Sequence, residues 1–143
     1  MPGIVVGVDG SEHSQHVLEW AIKEAALQQT PLTVLSVHQV ARSYWTGNPI
    51  IYPEDQPELE KSRQAAEEAV AQATSRLSGA KPPSVSVRAV SGLPAQELIT
   101  ASGDADLVVV GSRGGGGFAG LMLGSVSSQV VNHAACPVAV IRP

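Results

Sequence analysis

Cysteine occurs once in these 143 residues, at Cys136, so no intrachain disulfide framework braces the fold, and the chain suits a reducing compartment. Aromatic side chains amount to 3%, which leaves Val, Leu, Ile and Ala to fill a core. No apolar run approaches the ~18 residues that cross a bilayer, so an integral membrane protein is excluded. Nor does the stretch from Met1 to Asp9 carry the basic flank of a secretory signal. Positive charge is short as well. Nine Lys and Arg stand against thirteen Asp and Glu, a formal net charge of −4, whereas a binder of nucleic-acid backbone needs a basic face. Charged residues at 15% and hydrophobic residues at 43% exclude a disordered chain. The expectation is one cytoplasmic domain, residues 1–143, with neither a nucleic-acid nor a membrane partner.

What the chain does have is glycine (14), proline (10) and a regular alternation of two periodicities. Ile4-Val5-Val6-Gly7-Val8 is a short, β-branched run ending at Asp9-Gly10-Ser11, the pattern of a strand buried on both faces. Ser11 stands where a helix N-cap belongs, with Glu12 in the first turn. Val17, Leu18, Ala21, Ile22, Ala25 and Ala26 then recur at helical spacing until Pro31 forbids continuation. Leu32 to Val37 is a second strand. Leu59, Ala66, Val70, Ala73 and Leu77 mark a second helix, stopping near Ser78-Gly79. Val85 to Val90 is a third strand, and Pro94 opens a short third helix through Leu98 and Ile99. Asp106 to Gly111 is the fourth strand, Ser125 to about Ala134 the fourth helix, and Val138 to Ile141 the fifth strand.

Such alternation predicts an α/β fold: an open, doubly wound, five-stranded parallel sheet in strand order 3-2-1-4-5, with helices on both faces. Ligands of these sheets sit beyond the C-terminal strand ends where the winding reverses, here between strands 1 and 4. That brings Asp9 and the segment after Val110 to one crevice.

The segment from Gly111 to Ser125 has the skeleton Gly, two residues, Gly, nine residues, Gly-Ser. Gly111 and Gly114 allow backbone to approach a ligand closely. Gly124-Ser125 opens a helix whose free N–H groups suit a phosphate, and Ser125 and Ser127 add hydroxyls. No lysine follows Lys81, so this is not a lysine-type phosphate loop, and Gly7-Val8-Asp9-Gly10-Ser11 is not the dinucleotide fingerprint. Loop chemistry alone is equally compatible with a flexible connection.

Taken together, Val5-Val6-Gly7-Val8-Asp9-Gly10-Ser11, Ala105 to Gly114, Leu123-Gly124-Ser125-Val126-Ser127 and His133 to Val140 resemble the universal stress protein family, in its single-domain, ATP-binding form. The resemblance runs from Ile4 to Ile141. It implies a fold of the adenine-nucleotide α-hydrolase-like kind and a stress-response regulator that binds ATP with little or no hydrolysis, rather than an enzyme. By the same resemblance Asp9 contacts the nucleotide and Val37 meets the adenine. Gly111, Arg113, Gly114, Gly124, Ser125, Val126 and Ser127 hold ribose and phosphates, with Gly7 and Val110 beside them. Mg2+ accompanies the phosphates, and a homodimer forms through residues 138–141. A nucleotide-free dimeric interaction module and a cyclic-AMP binder are the alternatives.

Other residues have plainer readings beside these. Asp9 also suits a helix cap, and Arg113 a solvated loop. His13 and His16 are three apart and share a helix turn, but with no third ligand in sight they read as solvated rather than metal-binding. His38, just past strand 2, reads as a surface histidine, and His133 complements its helix dipole. Cys136, before Pro137, reads as buried and inert. From His38 to Pro57 the periodicity dissolves, and Tyr44, Trp45 and Tyr52 make this either an anchored surface loop or a lid.

Overall fold

Strands and helices alternate through the computed structural model, which describes residues 3–39, 56–112 and 124–143. They are β1 (Ile4–Val8), α1 (Glu12–Gln28), β2 (Leu32–Gln39), α2 (Gln56–Arg76), β3 (Val85–Gly92), α3 (Pro94–Ser102), β4 (Leu107–Gly111), α4 (Ser125–His133) and β5 (Val138–Ile141). All pairings are parallel and the sheet order is β3-β2-β1-β4-β5, as the alternation predicts.

The pleat sorts the apolar residues of each strand between two cores. Ile4, Val6, Leu32, Val34 and Val109 face α1 and α2, where they meet Val17, Leu18, Ala21, Ile22, Ala25 and Ala73. Leu35, Val108 and Val110 face α3 and α4, against Ala95, Leu98 and Val130. Central strands must be apolar on both faces, which is why β1 and β4 read as unbroken Val-rich runs rather than as alternations. The small side chains of α1 let that helix lie close on the sheet, so aromatic bulk is not needed to fill the layer.

Helix ends follow local chemistry. Ser11 caps α1, its hydroxyl accepting from the Ser14 N–H at 3.1 Å. Gln29 terminates it in the left-handed region at φ 49°, its N–H returning to the Ala25 and Ala26 carbonyls, and Pro31 stands two residues on. Pro94 occupies the first turn of α3, where its missing N–H has no helical acceptor to lose.

Two strands outrun their apolar patterns. β2 and β3 pair residue for residue as far as Gln39 and Gly92, past the expected ends at Val37 and Val90. The backbone ladder continues where the side chains no longer report it. α2 starts at Gln56, three residues before the first apolar position, because a solvated first turn needs no buried face. Tyr44, Trp45 and Tyr52 lie outside the described residues. Among the described residues no helix is long and apolar enough to cross a membrane.

Two leucines of α1 test the packing directly. Leu18 is fully buried and Leu27 is 81% exposed. Leu18→Ala should lower unfolding free energy by about 2–5 kcal/mol, and Leu27→Ala should stay within about 0.5 kcal/mol, both read from urea midpoints.

Candidate functional site

The crevice arises where two central strands part. β1 and β4 pair in register from Ile4↔Leu107 to Val6↔Val109 and no further, although β1 continues to Val8 and β4 to Gly111. Beyond that point each stays paired only with its outer neighbour, and the two ends lead into α1 on one face of the sheet and towards α4 on the other. Between them lies a cavity of about 260 Å³. Its size is close to the ~300 Å³ lower limit for small-molecule sites.

The β1–α1 turn is held by a short chain of hydrogen bonds. The Ser11 N–H and hydroxyl both donate to Asp9 Oδ1, at 3.0 and 2.6 Å, and the Asp9 N–H donates to Ser14 Oγ at 3.1 Å. Gly10 sits at φ +84°, a conformation glycine adopts without strain, and this reverses the chain between strand and helix. Ser11, not Asp9, is therefore the cap. Asp9 braces that cap and remains exposed at the cavity mouth.

The opposite wall is the start of α4. Gly124 is its N-cap residue and no side chain caps the turn, so the first amide N–H groups stay available to an anion. The Ser112 carbonyl fixes this wall to the sheet. It accepts from the Gly124 N–H at 2.7 Å, with the Ser127 hydroxyl 3.4 Å away, while the Ser112 N–H donates to the Ile141 carbonyl at 2.9 Å. Ser127 is buried, and its hydroxyl also lies 3.1 Å from the Gly124 carbonyl. It is thus a brace of the helix start rather than a free donor, whereas Ser125 is exposed.

Gly7, Asp9, Val37, Val110, Gly111, Gly124, Ser125, Val126 and Ser127, all expected at the site from the sequence, line this one cavity. Arg113 and Gly114 lie outside the described residues. The structure adds Val8, His13, Ser14, Val17, Leu35, Pro94 and Leu98. Leu35 fell within the expected second strand and Leu98 within the expected third helix, and neither carried a sign of standing at the mouth. Leu98 packs beneath Gly7, where a Cβ would meet its Cδ1 at 3.0 Å.

His13 differs from its expected role. Both ring nitrogens are shut off from solvent and lack a hydrogen-bond partner among the described residues, whereas a solvated first-turn histidine was anticipated. The reason is Gly111: a Cβ there would lie 2.7 Å from His13 Nε2, so the missing side chain makes room for the ring against β4. An unpaired buried polar group costs about 1–3 kcal/mol. His16, one turn on, is exposed, and among the described residues no cluster of three metal-ligating side chains occurs. Cys136 lies on the strand-entry side, half-buried. Burial pushes its thiol up from the ordinary value, and the nearby Asp106 carboxylate acts in the same direction against a lowering hydrogen bond from Val108.

A doubly wound parallel sheet whose central strands part over an uncapped helix start defines an α/β domain with a small-molecule-sized crevice at its C-terminal strand ends. The comparisons with known proteins narrow this class. The pattern described as "Universal stress protein family" matches residues 2–142, and the chain belongs to that family. Universal stress protein Rv2005c of Mycobacterium tuberculosis is 40% identical over 142 residues, covering 98% of this chain and 48% of that protein. The chain therefore spans about half the length of the curated relatives it matches. Among solved structures, the universal stress protein UspA from Lactobacillus plantarum superposes with a TM-score of 0.76 at 26% identity, covering 99% of this chain and 97% of its own. A universal stress protein from Archaeoglobus fulgidus, solved in complex with dAMP, gives 0.61 at 26% identity, covering 99% and 98%.

The brace at the turn can be tested without any ligand. Ser11→Ala removes the α1 cap together with the hydroxyl that donates to Asp9, leaving the main-chain N–H in place. It should cost about 0.5–2 kcal/mol of stability, measured by urea unfolding, with Ser11→Gly losing less.

Proposed function

We propose that this unit, residues 1–143, is a stress-response regulatory module that binds an adenine nucleotide, ATP first, and turns it over slowly or not at all. The observation that carries this reading is the convergence of strand ends and uncapped helix start on one cavity: Asp9, Val37, Gly111 and Gly124 to Ser127 meet there from four separate elements. The dAMP complex of the Archaeoglobus fulgidus relative supports adenine nucleotides as the ligand class.

In this reading the purine lies on the apolar side, against Leu35, Val37 and Leu98. The phosphates turn towards the amides of Ser125 and Val126, with Arg113 and Gly114 supplied by the neighbouring glycine-rich segment. Asp9 is the one carboxylate among the described lining residues, which fits the usual way Mg2+ is held, by phosphate oxygens and a single carboxylate. Bound there, Mg2+ would neutralise phosphate charge. Slow turnover follows from the sparse cationic lining. Lys23 and Lys61 sit on helices α1 and α2, and Lys81 precedes β3, at the far end of the sheet from the crevice. Phosphoryl transfer needs positioned positive charge in the transition state.

The module is further proposed to act as a homodimer. β5 is an edge strand of four half-buried apolar residues, with Arg142 and Pro143 following rather than interrupting it. An apolar edge of this kind is a template for pairing with a second copy. It lies in the cytoplasm in this reading.

Calorimetric titration with ATP, AMP and cyclic AMP tests the ligand class. ATP or AMP should bind, and Ser125→Ala should weaken ATP by about tenfold, the loss of one hydrogen bond to a charged group. No binding of any adenine nucleotide to the folded protein would defeat the proposal, and a clear preference for cyclic AMP would replace ATP as the ligand. For the dimer, Val140→Pro deletes a ladder donor within β5. Sedimentation should show a dimer for the parent chain and a shift towards monomer for the variant, with circular dichroism confirming that the variant is folded.

A further inference from the structure

The edge strand β5 is unevenly covered. On one face Val138 and Val140 join the second core, with α4 packed against the strand. On the other face α1 packs chiefly on β1 and β4, and α2 on β2 and β3. Ala139 and Ile141 are therefore left at the margin of the first core, half-buried. Trp20 of α1 stands at the same margin and is half-buried too.

Helical geometry fixes where this indole stands. Gln15 and Glu19 turn towards α2, bonded to the Ala69 carbonyl and to Arg76. His16, Trp20 and Glu24 recur four residues apart on another flank, the one that His13 brings against Gly111 of β4. A Cβ at Gly111 would meet Val17 at 3.1 Å, so Val17 is level with Gly111, which pairs with Ile141. Trp20 comes three residues later on a helix antiparallel to the strands, about 4.5 Å lower. That is a little over one strand residue at ~3.3 Å. Trp20 is thus level with Ala139 and Val140, the middle of β5.

We propose that Trp20 is the central side-chain contact of the homodimer, its indole meeting that of a second copy over a floor formed by Ala139 and Ile141 of both chains. This rests on the homodimer reading above and names the residue that anchors it. Two copies of one edge pair antiparallel about a two-fold axis, and when all four residues pair, the axis passes through the middle of β5. The two Trp20 side chains then stand at one level on either side of it. Two adjacent strands make a floor about 10 Å wide between the two α1 helices, and one indole from each side fills it. The same symmetry sets Glu24 of one copy opposite His16 of the other, a carboxylate acceptor facing a ring that donates. Main-chain pairing is blind to sequence, whereas a desolvated aromatic at the centre supplies the anchor that such interfaces depend on.

Sedimentation equilibrium of the parent protein, Trp20→Ala, Trp20→Phe and Leu27→Ala tests the contact. Trp20→Ala should weaken the dimer at least tenfold, and Trp20→Phe far less. Leu27 lies about 10 Å further along α1, past the end of β5, so Leu27→Ala should leave the dimer unchanged. A folded Trp20→Ala protein that dimerises like the parent would overturn the proposal, as would equal losses in Trp20→Ala and Leu27→Ala. Should Trp20→Ala not fold, the fluorescence of Trp45→Phe decides, since Trp20 is then the one remaining tryptophan. Its emission should move to longer wavelength as dilution dissociates the dimer, and emission that stays in place through dissociation would overturn the contact. A parent chain that sediments as a monomer throughout defeats the homodimer reading and this contact with it, whereas a dimer insensitive to Trp20 defeats this contact alone.

Discussion

Parallel pairing of β1 with β4 is the constraint on which the rest depends. The two strands lie about a hundred residues apart in sequence, yet their contact fixes the centre of the sheet. A parallel strand can rejoin its neighbour only through a crossover, so each strand hands the chain to a helix on one face or the other. From β1 the chain winds outward through β2 and β3, then returns across β1 to β4 and β5. The reversal leaves no connection bridging the ends of β1 and β4, and the ladder between them stops at Val6 and Val109. The cavity is the space created by that topology. Its walls are polar because strand ends and helix starts expose backbone groups, and its floor is apolar because the second core lies directly beneath.

Most of this fold could be read from the chain because buried parallel strands and amphipathic helices leave unambiguous periodicities. Val17 to Ala26 and Val138 to Ile141 are instances in which side-chain pattern and backbone structure coincide. The margins were less legible for a physical reason. Gln39 and Gly92 belong to a ladder held by main-chain hydrogen bonds, which place no demand on side-chain polarity, and the first turn of α2 is solvated.

At the crevice, the backbone-contributing positions were legible, because glycine at a strand end and Gly-Ser at a helix start carry their mechanism in their identity. Positions defined by a third dimension were not. His13 looked like any polar residue of a first turn, and only its juxtaposition with Gly111, distant in sequence, explains why it is enclosed. Ser127 was expected to serve a ligand, yet its hydroxyl lies against the carbonyls of Ser112 and Gly124, a contact set by the return of the chain rather than by spacing.

The bonds that converge on Ser112 have a consequence for how such a protein can change. Its carbonyl takes the Gly124 N–H, while its own N–H is tied to Ile141, so the two ends of the intervening segment are clamped together independently of what lies between them. Closing a loop whose ends are already pinned depends only weakly on its length, each doubling costing roughly 0.6 kcal/mol. The number of residues between Ser112 and Gly124 therefore bears little on whether the domain folds.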